Sequence, residues 1–575
     1  MARRGGAIHV VTNRRVGSSG SEYVSHLLRR TYREGGRVRN ETVGNISHLP
    51  EELVELIRRY LRGERFLGVE ESFAVEASLP HGHVEAALAM ARRLELARLL
   101  DRSPSRARSL CLAMIVERVL CPASKLATAR ALSDSTLAGE LAVEGTGEDD
   151  LYAALDWLAE RQPQIERRLV RRHLRPGEHV LYDVSSSYFE GRSCPLAQLG
   201  YSRDRRRGSL QLVYGLVCDR RGRPLAVEPF PGALHDDQTI PGRLEALRGR
   251  FGLERLVLVV DRGMVTEANL AAVGDAGYAF ISALKAPQVK RLAKQGHLQL
   301  SLLDEQGLAE IASEDYPGER LVVCRNPLVG AERARKREAL LAATERDFAA
   351  IERRVEQGTL RGQAEIGLAV GAVSNRHRVK KHFRIEISDD TLRIERKQAE
   401  IAAEAALDGI YILRTSLAAD QLDAGDVVRS YKQLAQVERA HRTLKGPDLE
   451  LRPIHHRLEQ RVRAHLFLCM LAYYLEWHLR YAWRELLYSD EQPPLVTDPV
   501  AARSRSPEAE RKARSKHTAA GEPCHSWPTL VRHLALRCRN TIRLAGTNAS
   551  FDRLTEPTPV QARALDLAHT AELPP

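Results

Sequence analysis

The stretch His179-Val-Leu-Tyr-Asp183-Val-Ser-Ser-Ser187 decides the fold, because here a long helical pattern gives way to a series of strands. Residues 210–218 predict a second strand. The turn Asp219-Arg-Arg-Gly222 then leads into a third strand over residues 224–230. Three strands in close succession indicate an antiparallel meander that begins at residue 179.

The pattern after the meander alternates between helix and strand. We expect helices over residues 237–251 and 266–276, and a strand over residues 278–284. Between the helices, Arg255-Leu-Val-Leu-Val-Val-Asp261 carries an unbroken apolar run, which is typical of a central strand covered on both faces. Three meandering strands followed by helix, strand, helix and strand is the order expected of a ribonuclease-H-like layered domain.

This order is interrupted after residue 285, which indicates a domain inserted within a domain. The inserted residues carry strand-like pieces and a charged helical hairpin over Glu332–Gln357. The expected divisions of this α/β protein are a small α+β region (1–85), a helical region (86–178), the first part of the core (179–285), the insertion (286–407), the second part of the core (408–487), and a basic loop with a C-terminal tail (488–575).

The helical region contains a short break at Cys121-Pro122 between two predicted helices. Such a pair could be a helix-turn-helix, which would place Lys125 and Arg130 on a face that reads DNA. More often such a pair is a plain helical hairpin. The sequence leaves both readings open.

Composition points to a soluble, multidomain protein with an excess of positive charge. The chain has 575 residues, of which 28% are charged and 43% hydrophobic, and its formal net charge is +12. Such an excess favours a polyanionic partner, since each neutralised phosphate releases condensed counterions. A solvated basic surface is the alternative explanation of the charge.

Cysteine usage and hydropathy favour the cytoplasm. The eight cysteines are scattered without any CxxC pair, as expected of reduced thiols. The first residues lack the apolar run of a signal peptide, and the most apolar helix, residues 466–475, is half the length that a membrane span requires. We therefore expect a cytoplasmic, nucleoid-associated protein with no membrane contact.

Three carboxylates are the candidate catalytic groups. Asp183 lies within a strand and Asp261 ends one. In the expected sheet these two strands are neighbours, and a later helix carrying Glu438 can cross the same edge. Three adjacent carboxylates cannot all stay ionised unless cations bind among them, and oxygen donors select Mg²⁺ or Mn²⁺. Two such ions could support in-line displacement at a phosphodiester. Taken singly, each aspartate could instead be a turn or helix cap.

The Glu438 helix has an unusual face. Tyr431 and Lys445 lie seven residues before and after Glu438, so that an aromatic ring, a carboxylate and an ammonium share one stripe of a continuous helix. An ordinary core helix would fill such a stripe with aliphatic side chains. Together with Tyr-Asp183-Val-Ser and Val-Val-Asp261-Arg-Gly-Met, this helix closely resembles the DDE transposases of bacterial insertion sequences.

The resemblance is closest to the IS-four superfamily and its IS-sixteen-thirty-four-like branch, and it covers roughly residues 179–480. It implies Asp183, Asp261 and Glu438 as the catalytic triad and metal ligands, and a mostly β insertion before the glutamate helix. The superfamily pattern has an arginine where this chain has Leu434. The residues expected to contact DNA are Tyr431, Lys445, Arg203, Arg205 and Arg442.

The resemblance implies a DNA transposase that uses two Mg²⁺ ions, which Mn²⁺ can replace. It would bind terminal inverted repeats, cleave at the element ends and join them to target DNA, most simply by cut-and-paste and as a homodimer on double-stranded DNA. Two alternatives remain open at this stage. One is a ribonuclease-H-like nuclease without strand transfer. The other is a catalytically inactive, repurposed DNA-binding protein.

Overall fold

The protein divides into two compact units, Met1–Ser78 with Arg539–Leu554, and Leu79–Cys538 with Thr555–Pro575. The computed structural model describes residues 6–18, 20–66, 68, 72–204, 206, 208–245, 248–249, 251, 254–298, 303–304, 306–374, 376–494, 498–501, 504–545 and 547–574. Among the helices of these residues, none is long and apolar enough to cross a membrane.

The first unit is built from two small sheets and one helix. Its elements are β1 (Ala7–Val16), β2 (Glu22–Glu34), β3 (Arg37–Asn45), α1 (Glu51–Leu61), β4 (Phe73–Pro80), β15 (Cys538–Leu544) and β16 (Ser550–Leu554). The first three strands form an antiparallel meander, and the other three pair in the order β16-β15-β4. Gly35 and Gly36 connect β2 to β3 with φ of 56° and 79°, which a two-residue hairpin turn requires at both positions.

The second unit begins with a helical region. Its helices are α2 (Gly82–Arg93), α3 (Leu96–Leu100), α4 (Arg106–Leu120), α5 (Lys125–Ala131), α6 (Leu137–Leu141) and α7 (Glu148–His173). The break between α4 and α5 is present, but Lys125 is buried, with 4% of its surface exposed. The placement of Lys125 on an exposed reading face was therefore wrong.

A large mixed sheet follows the helical region. Its strands and neighbouring helices are β5 (His179–Tyr188), β6 (Gln211–Asp219), β7 (Pro224–Pro231), α8 (Ile240–Glu245), β8 (Val257–Val260), α9 (Glu267–Asp275), β9 (Ala279–Ala283), α10 (Ala286–Lys294), β10 (Leu308–Ile311), β11 (Arg320–Arg325) and β14 (Ile410–Thr415). The strand order is β10-β11-β14-β9-β8-β5-β6-β7. Strands β5, β8 and β9 are parallel, whereas the pairings on either side of them are antiparallel. All four residues of β8 are buried, as its apolar run predicts.

Between β11 and β14 the chain makes a long excursion from the sheet. Its elements are α11 (Pro327–Glu356), α12 (Gln363–Ser374), β12 (Phe383–Ile387), β13 (Leu392–Arg396) and α13 (Gln398–Ala405). They enclose a hydrophobic core of their own, centred on Leu341, Phe348 and Ile366. The prediction of a mostly β insertion was wrong. Helices dominate this segment, and β10 and β11 belong to the main sheet.

The chain then returns across the sheet through α14 (Ala424–Lys432), α15 (Leu434–Lys445) and α16 (Glu459–Ala482). Helix α16 is buried along most of its length because it packs against α4, α7 and β7. The C-terminal residues form α17 (Pro507–Ser515), α18 (Trp527–Ala535) and α19 (Pro559–Thr570). Residues 488–575 are therefore not a basic loop and tail, since β15 and β16 also belong to this segment.

Candidate active site

The two aspartates occupy equivalent positions on neighbouring parallel strands. Tyr182 of β5 pairs with Val260 of β8, and the next residues along the chain are Asp183 and Asp261. Both strands run in the same direction, so the two carboxylates emerge at the same edge of the sheet. The predicted adjacency of these strands is confirmed by their register.

Helix α15 brings Glu438 to the same place. The helix packs on β5 and β6 through buried residues that include Val437, Ala440 and Leu444. Glu438 lies on the exposed side of this face and lines a cavity of about 950 Å³ together with Asp183 and Asp261. The structure thus brings the three predicted carboxylates together.

The cavity contains more charge than the three carboxylates. Two further acids line it, and several cations surround them. The additional charged residues are Asp204, Asp236, Arg203, Lys432, Arg442, Lys445 and Arg452. Acids at the floor and cations around them are the distribution that a metal-assisted reaction on a polyanion requires.

Asp183 is the carboxylate most affected by its surroundings. Its pKa is raised to about 7, chiefly by burial and also by the charges of Asp261 and Glu438. The Val184 backbone N–H and Arg203 act in the opposite direction. Asp183 therefore takes up a proton more readily than an exposed carboxylate unless further positive charge enters the cavity.

Donor chemistry at this edge suits a hard divalent cation. Asp183, Asp261 and Glu438 offer only carboxylate oxygens, which are the ligands that Mg²⁺ takes in proteins. Within the described ranges, no three His, Cys, Asp or Glu side chains stand at the spacing of ligands around one ion. The residues fit the cation by donor type, charge and shared cavity.

A family model described as "Transposase DDE domain" matches residues 175–475, which is more than half of the chain and includes the whole cavity floor. The chain belongs to the DDE transposases. A second model, "IS1634 family transposase, N-terminal domain", matches residues 8–71 and places the protein in that branch. Transposases of this family generally use divalent metal ions.

Two further comparisons add little to the assignment. No curated protein matches the transposase. It is similar to a solved structure titled "Cryo-EM structure of piggyBac transposase synaptic complex with hairpin DNA", at 9% identity, with 79% of this chain and 76% of that chain covered and a TM-score of 0.33. This TM-score is too low to establish a shared fold.

Tyr431 reaches the site from a separate helix. The helical stretch is interrupted at Gln433, where i to i+3 hydrogen bonds replace the i to i+4 bonds of an α-helix. Helix α14 therefore ends at Lys432. The single continuous helix expected from the sequence was therefore wrong. The Tyr431 hydroxyl still donates a hydrogen bond of 3.3 Å to Oδ1 of Asp261. Burial, and then the charge of Asp261, raise the pKa of Tyr431 well above its usual range.

Lys445 lines the cavity but already has partners in the transposase. Its Nζ donates to Oδ1 of Asp204 at 3.0 Å and to the carbonyl oxygen of Ser186 at 2.9 Å. Arg452 forms an ion pair with the same Asp204 carboxylate. Asp204 is nearly inaccessible and holds both cations at the cavity wall. Neither Asp204 nor Arg452 was singled out from the sequence.

The remaining predicted contacts differ in their placement. Arg203 forms an ion pair with Asp236, and both line the cavity. Arg442 also lines the cavity, is exposed, and has no ion-pair or hydrogen-bond partner within the described part of the transposase. Leu434 is buried at the cavity wall, with 7% of its surface exposed. Arg205 lies outside the described residues.

His441 is a site residue that the sequence did not reveal. It lies one turn after Glu438, is buried, and donates through Nε2 to the main-chain oxygen of Asp183 at 3.4 Å. Burial, and next the charge of Lys445, lower the pKa of His441 to about 3. It is therefore a neutral donor that helps to fix the end of β5. A lone histidine on an amphipathic helix carries no signal that would have singled it out.

Proposed function

We propose that this transposase cleaves phosphodiesters at the ends of its own element and joins those ends to target DNA, with Asp183, Asp261 and Glu438 as the catalytic triad. One observation supports this most strongly. Two aspartates at matching positions of parallel strands, and a glutamate on the helix that crosses them, line one cavity. Their convergence from three distant parts of the chain has no purely structural explanation.

The architecture around the triad supports a ribonuclease-H-like core. Strands β5 to β9 stand in the order β7-β6-β5-β8-β9, with the meander on one side and the parallel strands on the other. In this proposal residues 179–285 and 408–487 form the core, and residues 286–407 include the insertion. The helical region, residues 86–178, is our candidate for recognition of terminal inverted repeats and for dimer contacts.

Asp183, Asp261 and Glu438 would hold two Mg²⁺ ions, which Mn²⁺ can replace. When bound, such ions activate an attacking oxygen and stabilise the leaving oxygen. The residues themselves prepare the site. Burial and repulsion raise the pKa of Asp183 to about 7. His441 binds the main chain at the end of β5 that carries Asp183, and Tyr431 orients the carboxylate of Asp261.

DNA is the proposed partner, as both element ends and target, and a homodimer would pair the two ends. Arg442 is the cation best placed to meet a phosphate, because it is exposed at the cavity and unengaged among the described residues. Lys445 and Arg203 would exchange their carboxylate partners for phosphate oxygens, and Arg205 would extend the basic segment. Cut-and-paste excision, with a hairpin intermediate, is the route that the family resemblance favours.

A test of this proposal uses Asp183→Asn, Asp261→Asn and Glu438→Gln with DNA that carries the inverted repeats flanking the gene. Each change should reduce Mg²⁺-dependent end cleavage by a factor on the order of 10³ or more while end binding persists. Glu332→Gln, at an exposed position of α11, is the matched control and should cleave normally. Cleavage that survives all three changes would contradict the assignment.

Supplying pre-cleaved ends separates transposition from simple hydrolysis. A transposase joins such ends to target DNA, whereas a nuclease without strand transfer does not. A repurposed DNA-binding protein would bind the ends and do neither. Joined products that require all three carboxylates are the expected outcome.

A further inference from the structure

A second cavity of about 670 Å³ lies beside the candidate active site and is lined mainly by cations and histidines. It lies between the helical region and the segment that connects α15 to α16. The basic lining residues that matter here are Arg118, Lys125, Arg452, Arg461, His456 and His465. Glu450, which is exposed, is the acid among the described lining residues.

Lys125 is the central observation. It is 4% exposed and lines this cavity, yet within the described part of the chain no ion pair or hydrogen bond engages its ammonium group. Burial, and next the charge of Arg118, lower the pKa of Lys125 to about 7, because an ammonium ion without a partner is costly to bury. A ligand that brings negative charge would supply the missing partner.

The neighbours of Lys125 do not supply that charge. Arg118 is also buried, and its guanidinium donates to the carbonyl oxygen of Ala123. Arg461 is held by Asp156, which leaves it neutralised at the rim. Glu117 is adjacent to Arg118, but burial raises the pKa of Glu117 to about 7. None of these three neighbours therefore offers Lys125 a negative charge.

Two histidines, His456 and His465, line the same cavity. Burial, and next the charge of Lys125, lower the pKa of His456 to about 3 and that of His465 well below its ordinary value. The rings pack 5.0 Å apart, and Nε2 of His465 donates to the carbonyl oxygen of Leu451 at 3.1 Å. Both rings are thus neutral. The single ring N–H of His465 is already donated to Leu451, which leaves the ring N–H of His456 as the one that can be donated to an anion.

Arg452 connects this cavity to the candidate active site. It lines both cavities and binds Asp204, the carboxylate that also holds Lys445. A strand whose reacting phosphodiester lies at Asp183 can therefore continue past Arg452 towards Lys125. Phosphate is the anion that a nucleic acid would present at every step of this route.

We propose that the second cavity binds a phosphate group of the DNA strand that passes through the active site, with Lys125 and Arg118 as its buried anchors. The DNA assignment rests on the proposed function, whereas the phosphate chemistry rests on this cavity alone. A free phosphate offers the same chemistry, and the experiment distinguishes the two sources.

Lys125→Met tests the proposal, because methionine keeps the length of the side chain and removes its charge. In the absence of ligand we expect the variant to be at least as stable as the wild type in urea unfolding, since a buried amine without a described partner is lost. Affinity for inverted-repeat DNA, measured by fluorescence anisotropy, should fall roughly tenfold. The slope of log affinity against log salt should decrease by about 0.9, the value for one phosphate contact.

Lys336→Met, at an exposed position of α11, is the control and should leave affinity and slope unchanged. Equal affinity and slope for Lys125→Met and the wild type would overturn the proposal. If inorganic phosphate stabilises the wild type but not Lys125→Met while DNA binding is unaffected, the DNA source is overturned. If Lys125→Met binds DNA weakly while the wild type binds but never cleaves it, this proposal stands and the proposed function fails.

Discussion

At the scale of single residues, Tyr431 makes two contributions that can be separated, a ring that lines the cavity and a hydroxyl that donates to Asp261. Tyr431→Phe should keep end affinity within about twofold, because the ring remains, at a stability cost of about 0.5–1.5 kcal/mol. Tyr431→Ala should weaken end binding by about 1–3 kcal/mol, the value of one base stacked on an aromatic ring. Fluorescence anisotropy with end DNA measures both.

Tyr488→Ala, which removes an exposed ring outside the cavity, provides the control for this comparison. Equal losses of affinity in Tyr431→Phe and Tyr431→Ala would assign the whole effect to the hydroxyl. In that case the ring does not stack on DNA.

Individual site residues differ in how far the sequence predicted them. Asp183 and Asp261 were predictable because strand order alone makes their strands neighbours, and register then aligns the carboxylates. Asp204, His441 and Arg452 were not predictable. Their roles depend on which side chains meet across β5, α15 and the following loop, and local sequence carries no information about such contacts.

At the scale of elements, Gly215 of β6 leaves space for the ring of Tyr182, which belongs to the neighbouring strand β5. A Cβ atom at this position would stand 2.7 Å and 2.8 Å from ring atoms of Tyr182, which is fully buried. Gly215→Ala should therefore destabilise the protein by about 1–3 kcal/mol through overpacking. It should also reduce cleavage, because Tyr182 precedes Asp183.

Gly274→Ala is the matched control for Gly215→Ala. Gly274 lies in α9, and nothing stands within 4 Å of the added atom, so this change should stabilise the protein by about 0.5–1 kcal/mol. Urea unfolding midpoints measure both variants. A Gly215→Ala protein as stable as the wild type would show that Tyr182 can move without penalty.

Elements whose sequence shows one clear hydrophobic pattern were predicted well. Elements whose strand partners lie far away in the sequence were not. The meander and the buried β8 followed from apolar runs and turn residues. The break at Gln433 escaped prediction because the residues around it continue a helical pattern. Strands β15 and β16 escaped it because their partner, β4, lies more than 450 residues earlier in the chain.

At the scale of the whole molecule, buried neutral histidines should govern stability in acid. Burial is the first cause that lowers the pKa of His441 and His478 to about 3, and it lowers that of His465 well below its ordinary value. In the unfolded chain a histidine titrates near 6.5, so the unfolded state takes up protons first as pH falls. The stability contributed by these groups is complete above pH 6.5 and is lost below it.

Each such histidine contributes a slope of about 1.4 kcal/mol per pH unit below 6.5, so three of them give about 4 kcal/mol per unit. His478→Gln should reduce the slope between pH 6 and 4 by about 1.4 kcal/mol per unit, as measured by urea unfolding at a series of pH values. Above pH 7.5 the plots of unfolding free energy against pH should be parallel for the variant and the wild type. Parallel plots at every pH would show that His478 does not resist protonation in the folded protein.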